Sequence, residues 1–132
     1  MSEKRPWEGQ KLLLVDDSSM IRRQIQPIFT EIGFDVIDEA ENGLLAIEKF
    51  NALKPDIVSL DIIMPELNGI DCFVQMTKIH PPSKFIFISC LAATYKKLGD
   101  KNKLLENQHL LDKPLQKKEL LLALQALYQP KR

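Results

Sequence analysis

Short apolar runs recur along this chain, each ending at a turn or charged residue and each followed by a stretch with helical spacing. The runs are Lys11–Val15 (KLLLV), Phe34–Asp38 (FDVID), Asp56–Leu60 (DIVSL), Lys84–Ile88 (KFIFI) and the brief Leu110-Leu111. They are too short for helices and rich in Val, Ile, Leu and Phe, so they read as strands. Between them lie helices. The first starts at a capping Ser18 or Ser19 and runs to about Ile32, stopping at Gly33. The second opens at Asn42-Gly43 with Leu44, Leu45, Ile47, Phe50 and Leu53 at helical spacing. A third covers about Ile70 to Ile79, closed by Pro81-Pro82, and a strong last one covers Gln116–Gln129. Residues Leu91–Gln108 have helical composition but no sustained apolar stripe, and Gly99-Asp100 is a break, since glycine costs about 1 kcal/mol inside a helix relative to alanine. Pro27 conflicts locally with the first helix and is expected to bend it or mark a weak turn.

Strand–helix units in this alternation define an α/β fold with a parallel sheet, and the nearly unbroken apolar character of the first and fourth strands suits coverage on both faces. Right-handed crossovers are expected. The chain has 132 residues, 45% apolar and 27% charged, enough for one cored domain over residues 11–129, with a loosely held polar lead-in at 1–10 and a tail at 130–132. Lys plus Arg and Asp plus Glu both count 18, and this balance argues against a nucleic-acid-binding domain. Cys72 and Cys90 do not suggest a disulfide framework. The start lacks the apolar core of a signal peptide, and no apolar stretch approaches the ~18 residues of a membrane span. The expectation is a cytoplasmic protein with no membrane association.

The reactive residues all fall just after strand ends: Asp16 and Asp17 after the first, Asp61 after the third, Ser89 after the fourth, Lys113 after the fifth. In a doubly wound sheet, ligands bind beyond the carboxyl ends of the strands, where strand order reverses. Three carboxylates in one crevice repel each other, and a hard dication relieves the conflict. Mg²⁺ typically takes one or two carboxylates plus phosphate oxygens and keeps several waters. Asp61 is then free to act as a nucleophile toward phosphorus, with Lys113 and the Ser89 hydroxyl suited to the charge that builds on the phosphoryl oxygens.

These residues carry a resemblance. The stretches Leu14-Val15-Asp16-Asp17-Ser18-Ser19, Glu39-Ala40-Glu41-Asn42-Gly43, Lys54 through Pro65 with Asn68-Gly69-Ile70-Asp71, then Ser89 and Lys113-Pro114, resemble the receiver domains of two-component response regulators, most closely the chemotaxis CheY and CheB type. The resemblance spans roughly residues 11 to 129. It implies a doubly wound five-stranded parallel sheet in the flavodoxin-like order 2-1-3-4-5, with five helices of which the fourth is irregular. It implies that Asp61 is the phosphoacceptor, that Asp17 binds Mg²⁺ directly and Asp16 mostly through water, and that the Ile63 carbonyl completes the protein ligands. Ser89 would contact the phosphoryl group, Lys113 would pair with carboxylate or phosphoryl oxygens, and the Lys113-Pro114 bond would be cis. The implied function is a single-domain response regulator that takes its phosphoryl group from a histidine kinase or histidine phosphotransfer protein and signals by protein contact. The alternatives are a phosphorelay shuttle or phosphate sink, or a scaffold that is never phosphorylated. No enzymatic activity beyond self-phosphorylation and autodephosphorylation is expected. A target would dock on the surface of the irregular helix, the fifth strand and the last helix, by a monomer or weak dimer.

Two other functions fit less well. A flavodoxin-like redox protein needs a Ser/Thr-rich phosphate loop after the first strand, where Asp16-Asp17 would repel a flavin phosphate. A Mg²⁺-dependent phosphohydrolase would place two aspartates two residues apart after that strand, a pattern absent here. Several single residues stay open. His80 and His109 read as ordinary surface or edge residues, Cys72 as a small apolar filler, and Cys90 as either packing or narrowing the mouth of the site. Trp7 either folds back on the domain or meets a partner. In the last helix, Leu120, Ala123, Leu124 and Leu127 form the buried stripe and leave Leu122 near the opposite face. Ile63 and Leu91, each two residues past a site residue, border the path of an attacking water and cannot hydrogen-bond it. Leu110, three residues before Lys113, stands where many receivers carry an aromatic ring that swings inward.

Overall fold

A computed structural model describes residues 5–90 and 108–129. The elements run β1 (Lys11–Val15), α1 (Ser19–Glu31), β2 (Asp35–Ala40), α2 (Gly43–Leu53), β3 (Ile57–Leu60), α3 (Gly69–Ile79), β4 (Lys84–Ser89), β5 (His109–Asp112) and α4 (Lys117–Leu127). The five strands form one sheet in the order β2-β1-β3-β4-β5, and every neighbouring pair is parallel. The irregular helix expected over 91–108, and with it the docking surface it would help to form, falls outside the described residues except for Gln108. Among the described residues, no helix is long and apolar enough to cross a membrane.

Alternation along each strand builds two cores. Leu13, Val15, Val58, Leu60, Phe85 and Phe87 point to one side, against Ala46 and Phe50 of α2 and Cys72, Phe73 and Met76 of α3. Leu12, Leu14, Ile57, Ile86 and Ile88 point to the other, against Ile25 and Phe29 of α1 and Leu120, Ala123 and Leu124 of α4. Successive strand side chains face opposite sides, so a run apolar at every position must be covered twice. Leu110 packs in the first core and has no ring to swing. Leu122 projects from α4 at 60% exposure, opposite the buried stripe.

Capping explains where the helices begin and end. The Ser18 hydroxyl accepts from the Ile21 N–H at 3.2 Å, and the Asn42 and Asn68 side chains accept from Leu45 and Asp71 at 2.8 and 2.9 Å. Asn68-Gly69, read as a turn, is therefore the cap and first residue of α3. At the end of α1, Gly33 takes φ +116°, and the N–H groups of Gly33 and Phe34 return to the carbonyls of Thr30 and Phe29 at 3.1 Å each. This use of Phe34 moves β2 later than the predicted Phe34–Asp38. The strand then gains Glu39 and Ala40, with an irregularity between the pairs Leu12–Val36 and Leu13–Asp38. The helix α1 runs unbroken through Pro27, which lies on its exposed side and supplies no N–H to the carbonyl one turn earlier.

The lead-in is not loose over residues 5–10. Trp7 is 2% exposed, donates its indole N–H to the Ile32 carbonyl at 2.9 Å, stacks on Phe34 and tilts against Tyr128. The Tyr128 hydroxyl donates to the Gln10 side chain, and Lys84 Nζ lies 4.9 Å from the Tyr128 ring centre. Burial, with Asp56 nearby, pushes the Tyr128 phenol well above its usual range. This clasp joins the chain's first turn to the end of α4, at the pole opposite the carboxyl ends of the strands.

Candidate functional site

The backbone at the carboxyl ends of β1 and β3 is held as an extension of the sheet. Asp16 donates its N–H to the Ala40 carbonyl at 3.1 Å, and Asp61 donates to Val15 at 3.0 Å. Adjacent strands therefore bring Asp16, Asp17 and Asp61 together, with one carboxylate oxygen of each within 4.8 Å of the others. Asp16 and Asp61 are buried, whereas Asp17 is exposed.

Lys113 crosses this cluster from the end of β5. Its ammonium lies 2.7 Å from Asp16 Oδ2 and 3.0 Å from Asp61 Oδ2. Burial alone would lower the lysine pKa, but its hydrogen bonds to Asp16 and Asp61 lift it above the ordinary value, so the side chain is a fixed cation at neutral pH. The Asp61 carboxyl moves the other way from a typical ion-paired acid. Burial raises its pKa, the Lys113 ammonium lowers it, Asp16 raises it again, and the balance is upward.

The two buried aspartates are engaged differently. Asp16 has both oxygens occupied, Oδ1 by the Ser18 N–H at 2.9 Å and Oδ2 by Lys113. Among the described residues, Asp61 Oδ1 receives only a long contact, 3.3 Å, from the Ile63 N–H. Ser89 is the last residue of β4 rather than the first after it, buried and in register with Asp112 of β5, which puts it at the same end of the sheet. Ile63 is 48% exposed in the loop after Asp61, and Leu91 lies outside the described residues. The Lys113-Pro114 bond is cis. Cys90 is exposed, which removes the packing reading, while Cys72 is buried against the Gly43 and Leu67 carbonyls with its thiol pushed up to about 11 by burial. His80 bonds Ser83 at 2.8 Å, far from the aspartates, where Ser83 in turn donates to Pro55.

Arg22 was not among the residues that the sequence singled out. It donates to the Asp16 carbonyl from Nη1 at 2.5 Å and to Glu39 from Nε at 2.9 Å. An arginine in the first turns of a helix carries no pattern that sets it apart, and only the fold brings Glu39 to it.

A parallel five-stranded sheet with an acidic cluster and a half-buried lysine at its carboxyl ends defines a phosphoryl-accepting α/β domain. The chain belongs to the response regulator receiver domain family, whose model it matches over residues 12–125. Its relatives include chemotaxis CheY proteins. That of Thermotoga maritima is 46% identical over 83 residues, which is 63% of this chain and 69% of that protein. That of Treponema pallidum is 34% identical over 113 residues, covering 84% of this chain and 77% of that one. Among solved structures, CheY in the CheX-CheY-BeF3-Mg²⁺ complex of Borrelia burgdorferi is 31% identical with a TM-score of 0.81, covering 93% of this chain and 92% of that one. The response regulator domain of Thermotoga maritima CheB is 27% identical with a TM-score of 0.73, covering 95% and 100% respectively.

Proposed function

We propose that Asp61 accepts a phosphoryl group from a histidine kinase or histidine phosphotransfer protein, with Mg²⁺ held beside it by Asp17, Asp61 and the Ile63 carbonyl. Asp16 would act through metal-bound water, since Ser18 and Lys113 already occupy its oxygens. The observation that carries this reading is the single ammonium of Lys113 shared by two buried carboxylates, with a third carboxylate exposed alongside. The donor set is all hard oxygen and only partly enclosed, which suits a cation that keeps several waters. When bound, the dication supplies positive charge against the carboxylates and the phosphoryl oxygens. A carboxylate oxygen of Asp61 forms the bond to phosphorus as the donor's phosphorus–nitrogen bond breaks, with its electron pair returning to the imidazole. Lys113 would follow the charge from the carboxylate to the phosphoryl group, and the Ser89 hydroxyl would donate to that group. The phosphorylated domain then signals by contact with a target protein. The CheY complex of Borrelia burgdorferi, with its BeF3, Mg²⁺ and CheX, supports the cation and a protein partner.

Treatment with a small phosphodonor and Mg²⁺ is expected to add one phosphoryl group by intact-mass spectrometry, and none in Asp61→Asn or in EDTA. Wild-type protein that never gains that mass would refute the proposal.

The lifetime of the adduct has its own expectation. Ile63 sits half exposed next to Asp61 and can neither bind nor deprotonate a water. Hydrolysis is therefore slow, and Ile63→Asn is expected to shorten the half-life several-fold in a phosphate-release assay. An unchanged half-life in the variant would show that this position does not border the water.

A further inference from the structure

Asp17 has a property the other two aspartates lack: its carboxylate is exposed and makes no hydrogen bond among the described residues. Among the described residues no donor aims the side chain, so its direction is inherited from the backbone that carries it. That backbone is the Asp16–Asp17 peptide. Its approach is fixed on one side by the Asp16 N–H bonded to Ala40. On the other side, the carbonyl of the peptide itself accepts from Arg22 Nη1 at 2.5 Å. Arg22 is braced in turn, its Nε bonded to Glu39 Oε1 of β2 at 2.9 Å, and its side chain is only 17% exposed. Its own N–H makes the first bond of α1, to the Ser18 carbonyl at 3.0 Å. One guanidinium therefore ties β2, the β1–α1 turn and the start of α1 together at the peptide from which Asp17 projects. A planar fork with fixed donors holds such a three-way junction better than a single ammonium can.

We infer that Arg22 is a positioning residue for the metal site: by clamping the Asp16 carbonyl against Glu39 it sets the orientation of the peptide that carries Asp17, and so aims that carboxylate at the cation. This inference rests on the Mg²⁺ reading above. It makes a prediction whose sign separates it from electrostatics. Arg22 is a permanent positive charge near the aspartates, and like charges repel, so on Coulomb grounds alone its removal strengthens binding of a dication. If Arg22 acts by position, its removal weakens binding.

The test is isothermal titration of the metal-free full chain with MgCl₂, with circular dichroism to verify folding of each variant. Arg22→Ala is expected to bind Mg²⁺ roughly 10-fold more weakly than wild type, in the range seen when groups that orient metal ligands are removed. Arg22→Lys, which keeps the charge and can reach the carbonyl but cannot also hold Glu39, is expected to recover part of that loss. Equal or tighter binding by Arg22→Ala would overturn the inference. If Arg22→Ala does not fold, the charge-conserving lysine variant decides alone: weaker binding supports the clamp, and wild-type affinity overturns it. Wild-type protein without saturable Mg²⁺ binding would instead sink the metal reading itself, and the clamp with it.

Discussion

Trp7→Ala is expected to cost the protein about 3–5 kcal/mol of folding stability, although Trp7 precedes the first strand. The size follows from what the ring touches. It is 2% exposed, lies between Phe34 and Tyr128 with ring centres 6.2 and 5.8 Å away, and satisfies the Ile32 carbonyl at the end of α1. Truncation leaves a cavity among Phe29, Phe34 and Tyr128 and removes the indole's hydrogen bond to the Ile32 carbonyl, which keeps its bond from Arg5 at 3.0 Å. For a domain of this size, the corresponding fall in melting temperature is roughly 10–20 °C. Thermal and urea denaturation measure it directly, and a loss below about 1 kcal/mol would show that the clasp is peripheral. The site should be spared. Asp16, Asp61 and Lys113 lie at the other pole of the sheet, so the variant, assayed well below its melting point, is expected to accept the phosphoryl group as wild type does.

Trp7 also shows where the reading of the sequence reaches its limit. It sits among Arg5, Pro6, Glu8 and Gly9, a setting with no period and no apolar neighbours, so local pattern reads a polar lead-in. Its partners, Phe34 and Tyr128, are far along the chain, and only the closed fold joins them. The site residues were legible for the opposite reason. Strand ends are set by short-range pattern, and in a parallel sheet every strand's carboxyl end falls at the same pole. Placing Asp16, Asp17, Asp61 and Lys113 at strand ends was therefore nearly the same as placing them together. What such reasoning does not supply is the division of labour within the cluster. That Asp16 has both oxygens engaged while Asp17 has none, or that Arg22 reaches the Asp16 carbonyl, depends on side-chain reach across elements rather than on position along one. Boundaries moved where a residue served two elements: Phe34 closes α1 and so cannot open β2, and Asn68 caps α3 instead of making a free turn.

Gly69→Ala is expected to slow phosphorylation of Asp61 by about 100-fold, the order of loss that a displacement near 1 Å can cause. Local propensity points the other way, because Gly69 opens α3 and alanine is the better helix former by about 1 kcal/mol. Close approach decides the matter. A Cβ at this position would lie 2.1 Å from the Asp61 carbonyl oxygen, 2.8 Å from Ile62 Cα and 2.9 Å from the Asp61 carbonyl carbon. All three are backbone atoms and cannot rotate away as a side-chain tip can. The loop is drawn in at this point by the Gly69 N–H, which donates to the Ile62 carbonyl at 2.8 Å. Either α3 moves outward or the Asp61 peptide turns. Moving the helix breaks that bond, and turning the peptide carries the carboxylate away from Lys113 and Asp17. Overpacking of this kind also destabilises by about 1–3 kcal/mol. Gly9→Ala serves as the comparison. It sits at φ +77°, a strained position for alanine, but nothing lies within 4 Å of its added Cβ and it is at the far pole. It is expected to lose modest stability and keep the wild-type rate. Initial rates with a small phosphodonor at saturating Mg²⁺ separate the two, and a Gly69→Ala protein that phosphorylates as fast as wild type would show that the loop after β3 does not set the position of Asp61.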